Sequence, residues 1–183
     1  MTETPYSEWW SDHRDRVEQS DDVRIDVFVR SLGAPTASQT AQRTVLERLD
    51  SLEERDRIDR YTVQVWGDRL YPEEPCAELP VGRFLHNKVE EFQHWAEDDQ
   101  EIELAFESTV ADPFVDEGTF ECIKLPRICL ATYVDGELSG VVPCRFEGHD
   151  LSVSKYLTAI AELSADPLRA NREAGGLTTA TGG

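Results

Sequence analysis

Four cysteines carry the most reactive side chains in this 183-residue chain. Cys76, Cys122, Cys129 and Cys144 contain no CxxC pair, and four cysteines do not make a disulfide framework in a chain of this length. We therefore expect free thiols. Cys129 lies within an apolar run, a position that is typical of a small core residue. Residual thiol activity is a hypothesis only for Cys122 or Cys144, and it requires their exposure.

Histidines and carboxylates are the next groups that could do chemistry. Cys122, Cys144 and His149 lack the close pairing of zinc ligands, while His86 and His94 lie outside any HExxH motif. The sequence contains no GxSxG, P-loop or GxGxxG motif. Among 37 Asp and Glu residues, no carboxylate pair stands out as a general acid and base. The sequence therefore favours a protein without catalytic residues, metal or cofactor.

Arginines are the candidate contacts with duplex DNA or with a protein partner. Seven arginines balance seven acidic residues between Arg24 and Arg60, although the whole chain has a formal charge of −19. A helix bearing these arginines before a short strand pair can resemble the recognition helix and wing of a winged helix-turn-helix. The alternative is an amphipathic helix that covers a sheet and carries i to i+4 ion pairs. The candidate contact residues are Arg43, Arg48, Arg55, Arg57 and Arg60.

The charge of the chain also bears on its environment. At about 1 M salt the Debye length is about 3 Å, so repulsion among the excess carboxylates is screened. Only three of the 18 basic residues are lysines, and this usage resembles proteins of haloarchaea. No segment approaches the roughly 20 apolar residues of a membrane span. We expect a halophilic, cytoplasmic protein that makes no membrane contact.

Hydrophobic periodicity predicts alternating strands and helices in the first half. Residues 25–30 form a β-rich run, and a stripe over residues 41–52 predicts a helix that reaches about residue 55. Residues 61–66 form a second strand, and a second helical stripe covers residues 81–96. This half therefore has the order βαβα.

Strands dominate the second half. Residues 102–110 and 119–123 predict a hairpin, and the apolar run 128–134 predicts a central strand. Asp135-Gly136 is a strong turn signal into residues 138–142. Ser152 is a helix cap for a final helix. The predicted class is α/β (α+β), with βαβ and ββα units in the order of a thioredoxin-like fold plus an inserted β-hairpin. The alternative is a winged helix-turn-helix element in an α+β domain.

The thioredoxin-like order places a candidate ligand cleft between two loops. The loop before the first long helix has no sulfur, which excludes dithiol exchange at the usual position. A proline precedes the central strand where such folds carry a cis-proline, and either a cis or a trans bond fits it. The candidate cleft residues are Pro35, Thr36, Ser38, Pro126 and Arg127.

The two ends of the chain differ in composition from the body. Residues 1–22 predict a flexible arm or one short helix, in which Trp9 and Trp10 fold back on the domain or dock a partner. Residues 23–164 predict a single α/β domain. The tail 165–183 is rich in Gly and Thr and is expected to be disordered.

Five segments carry a further signal: the runs 24–32, 45–58, 63–67 and 92–96 and the segment LPRICLATYVDGEL at 125–138. Together they resemble a family of small haloarchaeal proteins described as helix-turn-helix domain proteins. The resemblance implies DNA binding and transcriptional regulation, but it fixes no base-contacting residue. We therefore predict a non-enzymatic regulatory or interaction protein, with a thioredoxin-like binding module lacking dithiol activity as the alternative.

Overall fold

The computed structural model describes residues 8–32, 36–72, 79–98, 102–111 and 120–163. Pro35, Cys76 and the predicted disordered tail lie outside these ranges. The described helices are α1 (Glu8–Gln19), α2 (Thr36–Glu54), α3 (Pro80–Asp98) and α4 (Val153–Glu162). The described strands are β1 (Val23–Val29), β2 (Arg60–Val65), β3 (Arg69–Leu70), β4 (Ile102–Leu104), β5 (Glu107–Ala111), β6 (Phe120–Lys124), β7 (Ile128–Val134), β8 (Glu137–Val142), β9 (Cys144–Phe146) and β10 (His149–Leu151).

A four-stranded sheet forms the centre of the molecule, with the strand order β2-β1-β7-β8. Strands β1 and β2 are parallel, whereas β7 runs antiparallel to both β1 and β8. The α2 crossover joins the parallel pair. The predicted mixed α/β class is confirmed, including its βαβ unit. The predicted ββα unit differs, because the unpredicted pair β9–β10 lies between the β7–β8 hairpin and α4.

Both faces of the central sheet are buried because successive side chains of β1 point to opposite sides. Ile25 and Val27 join a core with Leu49 of α2 and Leu157 of α4. Phe28 joins a second core with residues of α3, including Phe92. Helices α2 and α4 therefore cover one face, and α3 covers the other.

Two smaller sheets correct one sequence prediction. The single strand expected at residues 102–110 is two strands, since β4 pairs with β9 and β5 pairs with β6. Between them the Ala105 N–H donates to the Pro143 carbonyl, which marks the change of partner. The β5–β6 pair is the predicted hairpin.

Two predicted local signals are confirmed at the end of the chain. Asp135 and Gly136 have φ values of 52° and 84°, as a type I′ hairpin turn requires. The Ser152 hydroxyl accepts a hydrogen bond from the Lys155 N–H at 3.2 Å and so caps α4. The Leu125–Pro126 bond is trans, and the cis X-Pro bond of the described ranges is Val142–Pro143.

Helix α1 lies against the β8 side of the central sheet. Trp10, His13 and Val17 are buried at helical spacing, so this stripe faces the domain. The Trp9 indole N–H donates to the Ser139 carbonyl of β8 at 3.1 Å. Both tryptophans therefore contact this chain itself. None of the described helices combines the length and apolar character that a bilayer crossing requires.

Candidate nucleic-acid interface

Helix α2 carries the first two of the predicted contact arginines. Its inner stripe contains Leu49 and Leu52, both buried in the core, with Val45 packed against it. These positions repeat at three or four residues, so they occupy one side of the helix. Only the remaining circumference of α2 is open to a partner.

The outward stripe of α2 is predominantly acidic. Arg43, Glu47, Asp50 and Glu54 follow one another at spacings of four, three and four residues, and all are exposed. The Arg43 side chain is 74% exposed, and its Nε lies 3.7 Å from a carboxylate oxygen of Glu47. Asp50 accepts a hydrogen bond from the Tyr61 hydroxyl. Arg43 is therefore a cation set among carboxylates.

Arg48, unlike Arg43, contacts a neighbouring helix. Its two terminal nitrogens donate to the Ser154 hydroxyl at 3.0 Å and to the Thr158 hydroxyl at 2.7 Å, both on α4. The Arg48 side chain is half-buried between the two helices. Since its guanidinium ties α2 to α4, we assign Arg48 to the packing of the fold.

The remaining three arginines lie between the end of α2 and the start of β2. Arg55 is exposed one residue beyond the helix. Arg57 is half-buried, and its Nε is buried without a hydrogen-bond partner. Arg60 is exposed, and its guanidinium lies 3.4 Å from a carboxylate oxygen of Asp22. The structure thus brings Arg55 and Arg60 to the surface near one turn but does not bring all five arginines onto one face.

The described part of the candidate ligand cleft lies at the end of β1. The Arg30 N–H donates to the Arg127 carbonyl at 3.0 Å, and the Arg30 guanidinium donates to the Leu125 carbonyl at 3.1 Å. The Trp66 indole N–H donates to the Pro126 carbonyl at 3.2 Å. These bonds hold Pro126 and Arg127 beside the ends of β1 and β2, whereas Thr36 and Ser38 lie in the first turn of α2.

A separate cavity of about 370 Å³ lies between the smaller strands β4, β9 and β10. Its wall is formed by residues 103–107, 143–145 and 150–152. The Arg145 guanidinium in this wall donates to the Asp150 carboxylate at 2.8 Å. With Glu103 and Glu107 also in the wall, the cavity is an acidic space and offers little to a phosphate.

The described cysteines are free thiols with little access to solvent. Cys122, Cys129 and Cys144 are all buried. Burial raises the pKa of Cys144 to about 12 and that of Cys129 well above its usual value. A thiol attacks as the thiolate, so burial of Cys122 and Cys144 makes the hypothesis of a reactive exposed thiol wrong. Within the described ranges, no three His, Cys, Asp or Glu side chains are grouped for a metal.

A buried polar chain joins α1 to the sheet and was not predicted. His13 Nδ1 lies 2.7 Å from the Ser139 hydroxyl, and its Nε2 lies 2.8 Å from the Tyr156 hydroxyl, which in turn meets the Thr132 hydroxyl at 2.6 Å. Burial, followed by the charge of Arg16, lowers the pKa of His13 to about 3. The neutral histidine is therefore a structural link. The spacing of Trp10, His13 and Val17, three and four residues apart, was the sequence signal that could have placed His13 on the buried side of a helix.

A second unpredicted cluster surrounds Tyr133 of β7. Lys88 Nζ donates to the Tyr133 hydroxyl at 2.8 Å, and that hydroxyl donates to Glu91 at 3.0 Å. The Arg24 guanidinium lies 4.3 Å from the centre of the Tyr133 ring. Burial raises the pKa of Tyr133 to about 12, so the phenol stays protonated at neutral pH. The cluster pairs its charges internally.

A family model described as a helix-turn-helix domain matches residues 17–165, which is most of the chain. This chain belongs to that family. The helix-turn-helix resemblance seen in the sequence is thereby confirmed. No curated protein and no solved structure matches the chain. The thioredoxin-like resemblance and the haloarchaeal origin stay predictions.

The position of α2 in this helix-turn-helix family member limits how it can approach DNA. Within the described ranges, each helix is separated from the next by at least one strand. The strands after α2 pair with different partners, since β2 pairs with β1 and β3 pairs with β6. Helix α2 is thus the crossover of a βαβ unit, and its inner stripe stays in the core.

Proposed function

We propose that this helix-turn-helix family member is a non-enzymatic, cytoplasmic regulator that binds duplex DNA. The observation that carries the proposal is the family match over residues 17–165. The burial of Cys122, Cys129 and Cys144 argues against thiol catalysis. Among the five candidate arginines, Arg43, Arg55 and Arg60 are exposed and form the contact set.

The acidic stripe of α2 determines the kind of contact we propose. Glu47, one turn from Arg43, and Glu54, at the end of the same stripe, repel phosphates, so long-range attraction contributes little. An arginine can still form two short hydrogen bonds with a guanine edge in the major groove. Screening by concentrated salt reduces the repulsion and leaves such short-range contacts in place. The proposed complex therefore depends on base contacts more than on counterion release.

Capture of sheared genomic DNA in about 2 M potassium chloride tests this proposal, because non-specific phosphate binding is lost at that concentration. We expect wild-type protein to enrich discrete fragments and Arg43→Glu to lose them. Arg145→Glu is the matched control, since Arg145 is also an exposed arginine paired with one carboxylate but lies on β9. Retention of the same fragments by Arg43→Glu, or no enrichment by the wild type, contradicts the proposal.

A second candidate function is ligand binding at the loop that contains Pro126 and Arg127. The supporting observation is the backbone hydrogen bond from Arg30 to Arg127, which holds the exposed Arg127 beside the end of β1. Ligands of open α/β sheets bind at the carboxyl ends of the strands. Replacing chloride by inorganic phosphate at constant ionic strength should raise the Tm of the wild type more than that of Arg127→Glu, since phosphate also stabilises proteins without a specific site. An equal rise in Arg127→Glu contradicts this candidate.

A further inference from the structure

The two edge strands of the central sheet differ in what covers them. On the β8 edge, Trp9 donates to the Ser139 carbonyl, and His13 contacts the Ser139 side chain. Helix α1 therefore covers that edge. Strand β2 forms the opposite edge and pairs with β1 alone among the described strands. An exposed edge presents unpaired N–H and C=O groups that can pair with another chain.

Beyond the exposed Arg60 at its start, strand β2 lacks the usual protection of an exposed edge. Natural edge strands carry charged residues, proline or bulges that prevent pairing. Residues 60–65 read Arg-Tyr-Thr-Val-Gln-Val and contain no proline and no acidic residue, in a chain whose formal charge is −19. Val63 and Val65 are 38% and 45% exposed. Covering their apolar surface with a partner would lower the free energy of the system.

We propose that β2 pairs with β2 of a second copy of this chain, antiparallel and about a two-fold axis at Val63. Such an axis lies perpendicular to the sheet and keeps each side chain on its own face of the extended sheet. Val63 then faces Val63, Tyr61 faces Val65 and Thr62 faces Gln64. The dimer contains one continuous eight-stranded sheet.

The strand is self-complementary in this register. Tyr61, Val63 and Val65 align with the core residues Ile25, Val27 and Val29 of β1, so they lie on the α2 side. Thr62 and Gln64 lie on the α3 side. The proposed register therefore joins aromatic and β-branched side chains on one face and polar side chains on the other, which are favourable cross-strand pairs.

Neighbouring registers fit less well. A shift that centres the axis on Thr62 places Asp59 opposite Val65, which sets a carboxylate against an apolar side chain. A shift that centres it on Gln64 removes Tyr61 from its valine partner and places it opposite Gly67. Pairing about Val63 uses all five residues from Tyr61 to Val65. This match of the strand with itself selects a second copy as the occupant.

Sedimentation velocity across a concentration series tests the dimer, with Val63→Lys as the disrupting variant. Two lysines would face each other at the axis, and directly opposed like charges destabilise a strand pair. We expect the dimer Kd to rise at least tenfold. Val110→Lys is the matched control because Val110 is an exposed valine of β5, away from this edge. A monomeric wild type at all concentrations, or equal effects of the two variants, overturns the proposal.

Hydrogen exchange of the wild type provides a test without substitution. Amide protection of residues 60–65 should increase with protein concentration, whereas protection of β5 should not. Oxidation of Val63→Cys should link two copies, while Gln64→Cys, which faces Thr62, should link them less. Concentration-independent exchange in β2 overturns the proposal. The dimer needs no DNA, so its failure and a failure of DNA capture are separate results.

Discussion

His13 and Ser139 are 126 residues apart in sequence, yet His13 Nδ1 lies 2.7 Å from the Ser139 hydroxyl. Gly140 makes this approach possible, since a Cβ at that position would lie 3.0 Å from His13 Cε1. Tyr156 of α4 completes the contact at the other ring nitrogen. A single neutral imidazole therefore links α1, β8 and α4, and the stability of the N-terminal helix depends on it.

Acidification should destabilise the protein through His13. Burial, followed by the charge of Arg16, holds its pKa in the folded state at about 3, against 6.5 for the free side chain. As pH falls below 6.5, His13 binds a proton in the unfolded state but stays neutral in the folded state. Stability is therefore complete above pH 6.5 and decreases towards pH 3, by at most about 1.4 kcal/mol per pH unit.

Urea unfolding between pH 5 and 8 measures this dependence. His13→Gln should be less stable at pH 8 and should lose part of the decline below pH 6.5. His94→Gln is the control, since His94 is an exposed histidine of α3. The role of His13 is contradicted if His13→Gln keeps the whole pH dependence of the wild type.

Gly140→Ala should destabilise the protein by about 1–3 kcal/mol, because the added methyl group presses on the His13 ring. A double-mutant cycle separates this contact from other effects of the alanine. In a His13→Ala background the clash is absent, so Gly140→Ala should cost much less. Equal losses in both backgrounds would show that the His13 contact does not explain the glycine.

The central sheet could be predicted because its residues obey local rules. The continuous apolar run of β7, the turn at Asp135-Gly136 and the Ser152 cap each act within a few residues. The site was harder to predict, since the role of Arg48 depends on α4, more than 100 residues later. Sequence spacing could group the arginines on a segment, but it could not show which one packing would engage.

Arg48 should matter more for stability than Arg43. Arg48 donates to two hydroxyls of α4, and each such hydrogen bond contributes about 1 kcal/mol. Arg43 has one exposed ion pair, which contributes about 0.3–0.5 kcal/mol. We therefore expect Arg48→Ala to lower the free energy of unfolding by about 1–2 kcal/mol and Arg43→Ala to leave it nearly unchanged. Urea titration compares them, and the reverse order would contradict the assignment of Arg48 to packing.

The buried thiols should be unreactive in the folded protein. Cys122, Cys129 and Cys144 are shielded, and the raised pKa of Cys129 and Cys144 leaves little thiolate at pH 8. A Cys76→Ser variant isolates these three groups. We expect Ellman's reagent to react at least a hundredfold more slowly with the native variant than with the same variant in guanidinium chloride. Rapid native labelling would show that the smaller sheets open readily.

Salt should stabilise the folded protein strongly, because its −19 charge repels itself in the compact state. Raising potassium chloride from 0.1 to 2 M shortens the Debye length from about 10 Å to under about 3 Å, so the urea midpoint should rise. Glu54→Gln removes one charge from the acidic stripe of α2 and tests the cause. It should raise stability in 0.1 M salt and have almost no effect in 2 M, where screening has removed the repulsion. A urea midpoint that does not change with salt would contradict self-repulsion as the cause, and so would an effect of Glu54→Gln that persists at 2 M.

The proposed β2 dimer should become tighter over the same salt range, because screening reduces the repulsion between two acidic copies. DNA binding driven by phosphate contacts should instead become weaker.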